Sequence, residues 1–260
     1  MKDNLFFSII CPTYNSGKFI EKNLFSILNQ TYSNFEIIYS DDGSTDNTLE
    51  LIKNYKKYFF EKKIKIEVLE NNHKGPGAAR NFGIKKANFD WIAFIDSDDE
   101  WDKDKLKKIN QVIQLNKNYN CISHNEIFRK KNGKEIKFNY KKFFSHDKLV
   151  YNQLFLKNFL STSSVTLKKE LIINAGYFDE ELSNAQDYDL WLKIGDNFSL
   201  YFIDEYLGFY NERDDNITSR SYSKKITNLI KILKKNKKSV SKYNYYYKLL
   251  RILFSKEWLK

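Results

Sequence analysis

The stretch Trp91-Ile92-Ala93-Phe94-Ile95-Asp96-Ser97-Asp98-Asp99 sets an uninterrupted apolar run directly against three carboxylates. Such a run reads as a strand buried on both faces. Carboxylates crowded at its end repel one another unless a cation or hydrogen-bond donors lie between them. A second cluster, Asp41-Asp42-Gly43-Ser44-Thr45-Asp46, follows the run Phe35–Tyr39 in the same way. Either cluster alone also fits a solvated turn, because Asp and Asn satisfy their own backbone. Two of them at strand ends point to a metal and a polar ligand. A calcium loop of the EF-hand type does not fit: the twelfth position from Asp41, Asp42 or Asp96 is Ile52, Lys53 or Lys107, where a glutamate is needed.

Outward from these clusters, Phe6–Cys11, Phe35–Tyr39, Ile64–Leu69 and Trp91–Ile95 read as strands buried on both faces, separated by helix-period segments. Phe19, Ile20, Leu24, Ile27 and Leu28 mark one helix. Leu49, Ile52 and Tyr55 mark another, capped near Thr45-Asp46. This βα alternation predicts an α/β fold with a mainly parallel central sheet flanked by helices. In open sheets of this kind ligands bind beyond the carboxyl ends of the strands. Alternation along an extended chain would put Asp96 and Asp98 on one side, where two hard oxygen donors beside a diphosphate suit Mg²⁺ or Mn²⁺. From about Tyr119 the pattern becomes mixed, with strands expected near Cys121–Arg129, Thr162–Leu167 and Ser199–Ile203. Helices are expected at Lys103–Asn116, Lys168–Ala175 and Asp187–Ile194. The glycine-rich turn His73–Gly77 matches neither the P-loop nor the Gly-x-Gly-x-x-Gly fingerprint.

The chain has 260 residues and a formal charge of +11, which would suggest nucleic acid if it were spread evenly. Residues 1–221 carry 32 basic and 32 acidic side chains, whereas 222–260 carry twelve basic residues against Glu257 alone. The excess therefore belongs to a C-terminal segment with no nucleic-acid motif. In that segment Ile226, Leu229, Ile230 and Leu233 recur at helical spacing with lysines between them, and Tyr243–Tyr247 leads into Leu249, Leu250, Ile252, Leu253, Phe254 and Trp258. A basic amphipathic helix with interfacial aromatics suits an anionic membrane surface. The same pattern fits a helix packed on its own domain with a solvated lysine face. Cys11 and Cys121 form no framework, and no apolar window reaches the roughly 18 residues of a membrane span. The expectation is a cytoplasmic protein without a cleaved export signal, peripheral on the inner face of the cytoplasmic membrane.

Five motifs in order, Pro12-Thr13-Tyr14-Asn15, Asp41 to Asp46, Gly77-Ala78-Ala79-Arg80-Asn81-Phe82-Gly83-Ile84, Asp96 to Asp99, and Gln186-Asp187-Tyr188-Asp189-Leu190-Trp191, closely resemble those of family 2 glycosyltransferases with the GT-A fold. The resemblance covers roughly residues 5–215. It implies a GT-A domain over 1–221, with a nucleotide part to about 118 and an acceptor part from 119, followed by the basic helical tail 222–260. It further implies inverting transfer of a sugar from a nucleoside-diphosphate sugar, with UDP favoured, to a glycan or lipid-linked hydroxyl in bacterial surface-glycan assembly.

By that resemblance Tyr14 would stack on uracil, with Pro12, Thr13 and Asn15 shaping the loop around it. Asp42 would accept the uracil N3–H, with Asp41 beside it. Arg80 and Lys74 would lie near the nucleotide, or on the helix surface. Asp96 would face the ribose and the metal, Ser97 would line the donor, and Asp98 would hold Mn²⁺ or Mg²⁺, with Asp99 behind them. Asp187 would be the general base for the acceptor hydroxyl; outside this motif it reads as an acid at a helix start. Gln186 replaces the glutamate common in relatives. Gln186, Trp191 and Ser161–Ser164 would be acceptor-side, although Trp191 also fits a core. Arg213 stands where relatives commonly place a histidine; it cannot ligate a cation but can clamp phosphate. A noncatalytic nucleotide-binding protein, or a basic membrane-surface protein of the same fold, is the alternative. A nucleotidyltransferase would need a glycine-rich loop after the first strand, which Pro12–Gly17 does not supply.

Overall fold

The computed structural model describes residues 5–213 and 222–254. Strands and helices alternate in the first part: β1 (Phe7–Thr13), α1 (Ile20–Leu28), β2 (Phe35–Asp41), α2 (Thr48–Glu61), β3 (Lys65–Glu70), α3 (Pro76–Lys86) and β4 (Trp91–Phe94). There follow β5 (Glu100–Trp101), α4 (Lys105–Leu115), β6 (Cys121–Arg129), β7 (Glu135–Phe138), α5 (Val150–Leu156), β8 (Thr166–Lys168), α6 (Lys169–Asn174), α7 (Gln186–Ile194), β9 (Leu200–Asn211), α8 (Tyr222–Lys235) and α9 (Lys242–Phe254). One sheet runs β3-β2-β1-β4-β8-β6-β9-β5, with β7 against β6. β3, β2, β1 and β4 pair in parallel, as the βα pattern predicts. Beyond β4 the sheet is mixed: β8 is antiparallel to both β4 and β6, while β6 and β9 run parallel.

β1, β2 and β4 are buried along their whole length because adjacent residues feed opposite cores. Ile10, Ile38, Ile92 and Phe94 join the core that includes Leu190 and Trp191 of α7, whereas Ile9, Ile37, Tyr39 and Ala93 join the one that includes Leu24 of α1 and Ile109 of α4. β3 departs from the expectation. It is the edge strand, and of its residues only Leu69 is buried. Gly83 lets α3 approach β1 closely, since a Cβ there would lie 2.8 Å from Ile10 Cγ2. At the start of α2, Asp46 Oδ1 accepts from the Thr48 backbone N–H at 3.0 Å, satisfying a helix-end donor. The strand expected over Thr162–Leu167 is a 3₁₀ turn, Thr162–Ser164, leading into β8.

Two acceptor-side expectations are corrected by burial. Trp191 is fully buried among Phe94, Phe178 and Phe198, and its Nε1 donates to the Leu160 carbonyl at 3.2 Å. Gln186 is also buried, with Nε2 donating to the Leu182 carbonyl at 2.6 Å. Both hold α7 in place from within the protein, which corrects their expected acceptor-side placement.

The basic helices pack on this body with one face. Ile232 and Leu233 of α8 and Tyr245 and Ile252 of α9 are buried in the α7-side core. Lys248 is buried with Nζ donating to the Leu156 carbonyl at 3.0 Å, and Lys235 pairs with Asp179 at 2.5 Å. The opposite face of α9 leaves Tyr243, Tyr246, Tyr247, Leu250, Leu253 and Phe254 exposed. Asp214, Asp215, Glu257 and Trp258, and the expected domain boundary at 221, lie outside the described residues.

Candidate active site

The carboxyl ends of β1 and β2 meet in register, Thr13 opposite Asp41, and build one corner of the site. Asp41 is fully buried; its carboxylate accepts from Thr13 Oγ1 at 2.8 Å and from the Ser44 N–H and Oγ at 2.8 and 2.6 Å. Asp41 and the Thr13 side chain thus hold the corner from within the protein, which corrects their expected contact role. Pro12 lies inside β1, and Asn15 ties its Oδ1 to the Thr45 N–H at 2.8 Å. The chain turns at Gly43, where φ is +80°, a conformation that glycine adopts without steric cost. Asp42 then reaches the glycine-rich turn: its carboxylate accepts from the Lys74 and Gly75 N–H groups at 2.8 Å each and lies 2.9 Å from His73 Nδ1. A carboxylate offers about four acceptor positions, so three on Asp42 are met, and the residue is itself only 3% exposed. Tyr14 is exposed and stacks on His73, with ring centroids 4.3 Å apart.

The second corner is the acid cluster after β4. It is a tight turn, closed by the Asp99 N–H to the Asp96 carbonyl at 3.0 Å, and not the extended segment expected from alternation. Asn23 Nδ2 bridges the Asp96 and Asp99 carbonyls at 3.1 and 3.0 Å. Ser163 braces the turn from below: its Oγ accepts from the Asp96 N–H at 3.0 Å and donates to Asp99 Oδ2 at 2.5 Å. Its carbonyl accepts from Trp101 Nε1 and from the buried Lys105 Nζ, at 2.9 and 2.7 Å. Burial, followed by the charges of Asp98 and Asp96, holds the Asp99 carboxyl well above the ordinary range. Ser97 is buried, its Oγ 2.7 Å from Ser16 Oγ, so it joins the acid turn to the loop after β1 and presents no free hydroxyl. Asp96 pairs with Arg80 at 2.6 Å, and Asp98 with Arg213 Nε at 3.0 Å.

Asp187 begins α7 beside this turn. Gly77 at the start of α3 packs on Gln186, where a Cβ would lie 3.5 Å from Gln186 Cγ, and Arg80 lies one turn further along α3. Burial raises the Asp187 carboxyl above its ordinary value of 3.8, opposed by the Tyr188 backbone N–H and by the Arg80 charge, while Asp96 adds to the rise. Asn158 Nδ2 donates to Asp187 Oδ2 at 3.4 Å. The motif's other acid, Asp189, is buried and pairs with Lys193 at 2.8 Å.

The loop after β1 thus meets the acid turn through Ser16 and Ser97, Arg80 and Arg213 pair with Asp96 and Asp98, and Asp187 is near enough to feel the charges of Arg80 and Asp96. Asn23, His73 and Lys105 lie outside the five motifs, as does Ser163, which belongs to the Ser161–Ser164 run. Asn23 carried a signal: it sits at helical spacing on the buried face of Ile20, Leu24 and Ile27, where a polar residue needs a partner. Among the described residues no three acidic, histidine or cysteine side chains form a ready metal cage. Two carboxylates do fit Mg²⁺ or Mn²⁺ where a ligand's phosphates supply the remaining oxygens, the usual manner of binding for these ions.

Known proteins resemble this chain in sequence and in fold. The sequence profile described as Glycosyl transferase family 2 matches residues 8–172. The chain is 42% identical over 132 residues to an uncharacterized glycosyltransferase of Haemophilus influenzae, covering 50% of each chain. It is 33% identical over 199 residues to the Escherichia coli UDP-Glc:alpha-D-GlcNAc-diphosphoundecaprenol beta-1,3-glucosyltransferase WfgD, covering 74% of this chain and 70% of that one. Among solved structures it resembles Staphylococcus aureus TarS 1–349 in complex with UDP-GlcNAc, with a TM-score of 0.73 at 23% identity, over 96% of this chain and 72% of that one. The chain therefore spans only half the length of the first of these relatives.

Proposed function

From a chain that belongs to glycosyl transferase family 2 and has its GT-A fold, we infer an inverting glycosyltransferase that moves a sugar from a UDP-sugar to a hydroxyl of a glycan or lipid-linked acceptor. The observation that carries this reading is the joining of the loop after β1 to the Asp96–Asp98 turn through Ser16 and Ser97, with Asp187 within reach of the Asp96 and Arg80 charges. Uracil would stack on the exposed Tyr14 ring and donate its N3–H to the one acceptor position left on Asp42. Cytosine has no N3–H and would meet the carboxylate with a lone pair. Asp96 and Asp98 would hold Mn²⁺ or Mg²⁺, which when bound neutralises charge building on the departing diphosphate. Asp187 would take the proton from the acceptor hydroxyl, and its raised affinity for a proton suits a general base better than an ordinary surface aspartate does. The activity of WfgD, a glucosyltransferase acting on a diphosphoundecaprenol-linked sugar, supports a lipid-linked acceptor and a role in bacterial surface-glycan assembly.

The direct test is release of UDP from a panel of UDP-sugars, with Mn²⁺ and a bacterial lipid extract as acceptor source, compared with GDP- and CMP-sugars. Turnover confined to a UDP-sugar is expected. Tight UDP binding without turnover of any donor would instead favour the noncatalytic alternative.

We further propose that the exposed face of α9 rests on an anionic membrane surface at the cytoplasmic side. Among the described residues no helix is long and apolar enough to cross a membrane. Tyr243, Tyr246, Tyr247, Leu250, Leu253 and Phe254 recur at three- and four-residue steps, forming one stripe on a segment with twelve basic residues. The protein should sediment with phosphatidylglycerol vesicles and remain in the supernatant with phosphatidylcholine, and L250E/L253E should weaken the former. Equal sedimentation with both lipids, or with neither, would refute this placement.

A further inference from the structure

We infer that Arg213 is the resident counter-ion of Asp98, and that it excludes a divalent cation from the acid turn until a nucleoside diphosphate arrives to take the guanidinium. The inference rests on the UDP-sugar reading above. Arg213 Nε lies 3.0 Å from Asp98 Oδ2, and the two side chains are only 15% and 12% exposed. The guanidinium also lies 4.6 Å from the centroid of Phe19, just before α1, so it spans the space between the loop after β1 and the acid turn. Its place is fixed by the end of β9, where Asn211 Nδ2 donates to the Asp98 carbonyl at 2.7 Å and to Glu100 Oε1 at 3.2 Å.

Arginine carries five donors and no acceptor. It competes with a cation for Asp98 and cannot join it as a ligand. Asp96 is occupied in the same sense by Arg80, at 2.6 Å. Asp96, Asp98, Arg80 and Arg213 together sum to zero formal charge. A divalent cation entering alone would add two positive charges to these four paired groups, and a sugar diphosphate alone two negative ones, both unfavourable where solvent is partly excluded. Entering together, the two compensate one another. The Arg213 fork passes from carboxylate to phosphate, for which its planar geometry is equally suited, and Asp98 is released to the metal.

Mn²⁺ binding read by electron paramagnetic resonance, and UDP binding read by calorimetry, test this on the whole chain. In the wild type, UDP should tighten Mn²⁺ by roughly tenfold or more, within the usual range of coupling between sites. In R213Q, Mn²⁺ alone should bind roughly tenfold tighter than to the wild type while UDP alone binds more weakly, so the coupling shrinks. R213K keeps the charge and should retain most of the exclusion, and unchanged melting temperatures would show that both variants are folded. If R213Q binds Mn²⁺ no more tightly than a wild type that does bind UDP, the counter-ion role is wrong while the nucleotide reading stands. If the wild type binds no UDP with or without Mn²⁺, both fall.

Discussion

Replacing Asp187 by Asn is expected to lower kcat by roughly 10²–10⁴-fold, the usual contribution of a positioned general base, with little change in the affinity for UDP. Asn keeps the volume of the side chain and can still accept from Asn158, so the start of α7 is preserved. What is lost is the capacity to take a proton from the attacking hydroxyl. The electrostatics of the position sharpen the prediction. Burial raises the Asp187 carboxyl above 3.8, so the folded protein holds this proton more tightly than the unfolded chain does. Ionising it therefore costs folding stability at pH values above the ordinary aspartate range, and D187N removes that cost. The variant should melt at the same temperature as the wild type or higher at pH 7, while being nearly inactive. For the wild-type enzyme the sign is the reverse of a stability gain: activity needs the ionised form. The acid limb of kcat/KM should consequently fall at a pH above 3.8, as the raised carboxyl protonates. Full activity in D187N would assign the base elsewhere. Loss of activity with a large fall in melting temperature would make Asp187 a structural residue of α7.

The parts of the fold that could be read from sequence are those in which local pattern and tertiary environment agree. The apolar runs of β1, β2 and β4 are buried on both faces because each strand separates two cores, and nothing in the assembled protein contradicts that pattern. Ile64–Leu69 differs in carrying Lys65 and Glu67 between its apolar residues, and it becomes the edge strand of the sheet. The site was legible as residue types at strand ends and not as geometry. Alternation along an extended chain would set Asp96 and Asp98 on one side, whereas a turn braced by Asn23 and Ser163 positions them. Both braces come from elements remote in sequence, so spacing cannot reveal them. Trp191 sits in a site-like motif yet fills the core, because a helix start that positions Asp187 needs a large anchor on its inward face. In the basic tail both readings of the amphipathic pattern apply, each to a different face: Ile232, Leu233, Tyr245 and Ile252 face inward, while a second apolar stripe on α9 remains exposed.

The central claim is that the Tyr14–Asp42 corner and the Asp96–Asp98 turn form one metal-assisted uridine diphosphate site, and it is tested most directly by calorimetric titration of UDP, GDP, dTDP and CMP into wild type and D98N, each with and without Mn²⁺. Asp98 is the carboxylate with most to lose. Asn at this position keeps one oxygen donor but removes the charge that would hold a dication, and it leaves Arg213 facing a neutral group. In the wild type UDP should bind in preference to the other nucleotides, and Mn²⁺ should tighten it by roughly tenfold or more; in D98N nearly all of that metal-dependent gain should vanish. UDP binding that is selective, metal-dependent and sensitive to D98N is the predicted result. Binding of no nucleotide by folded protein, or UDP binding that Mn²⁺ and D98N leave unchanged, would contradict it.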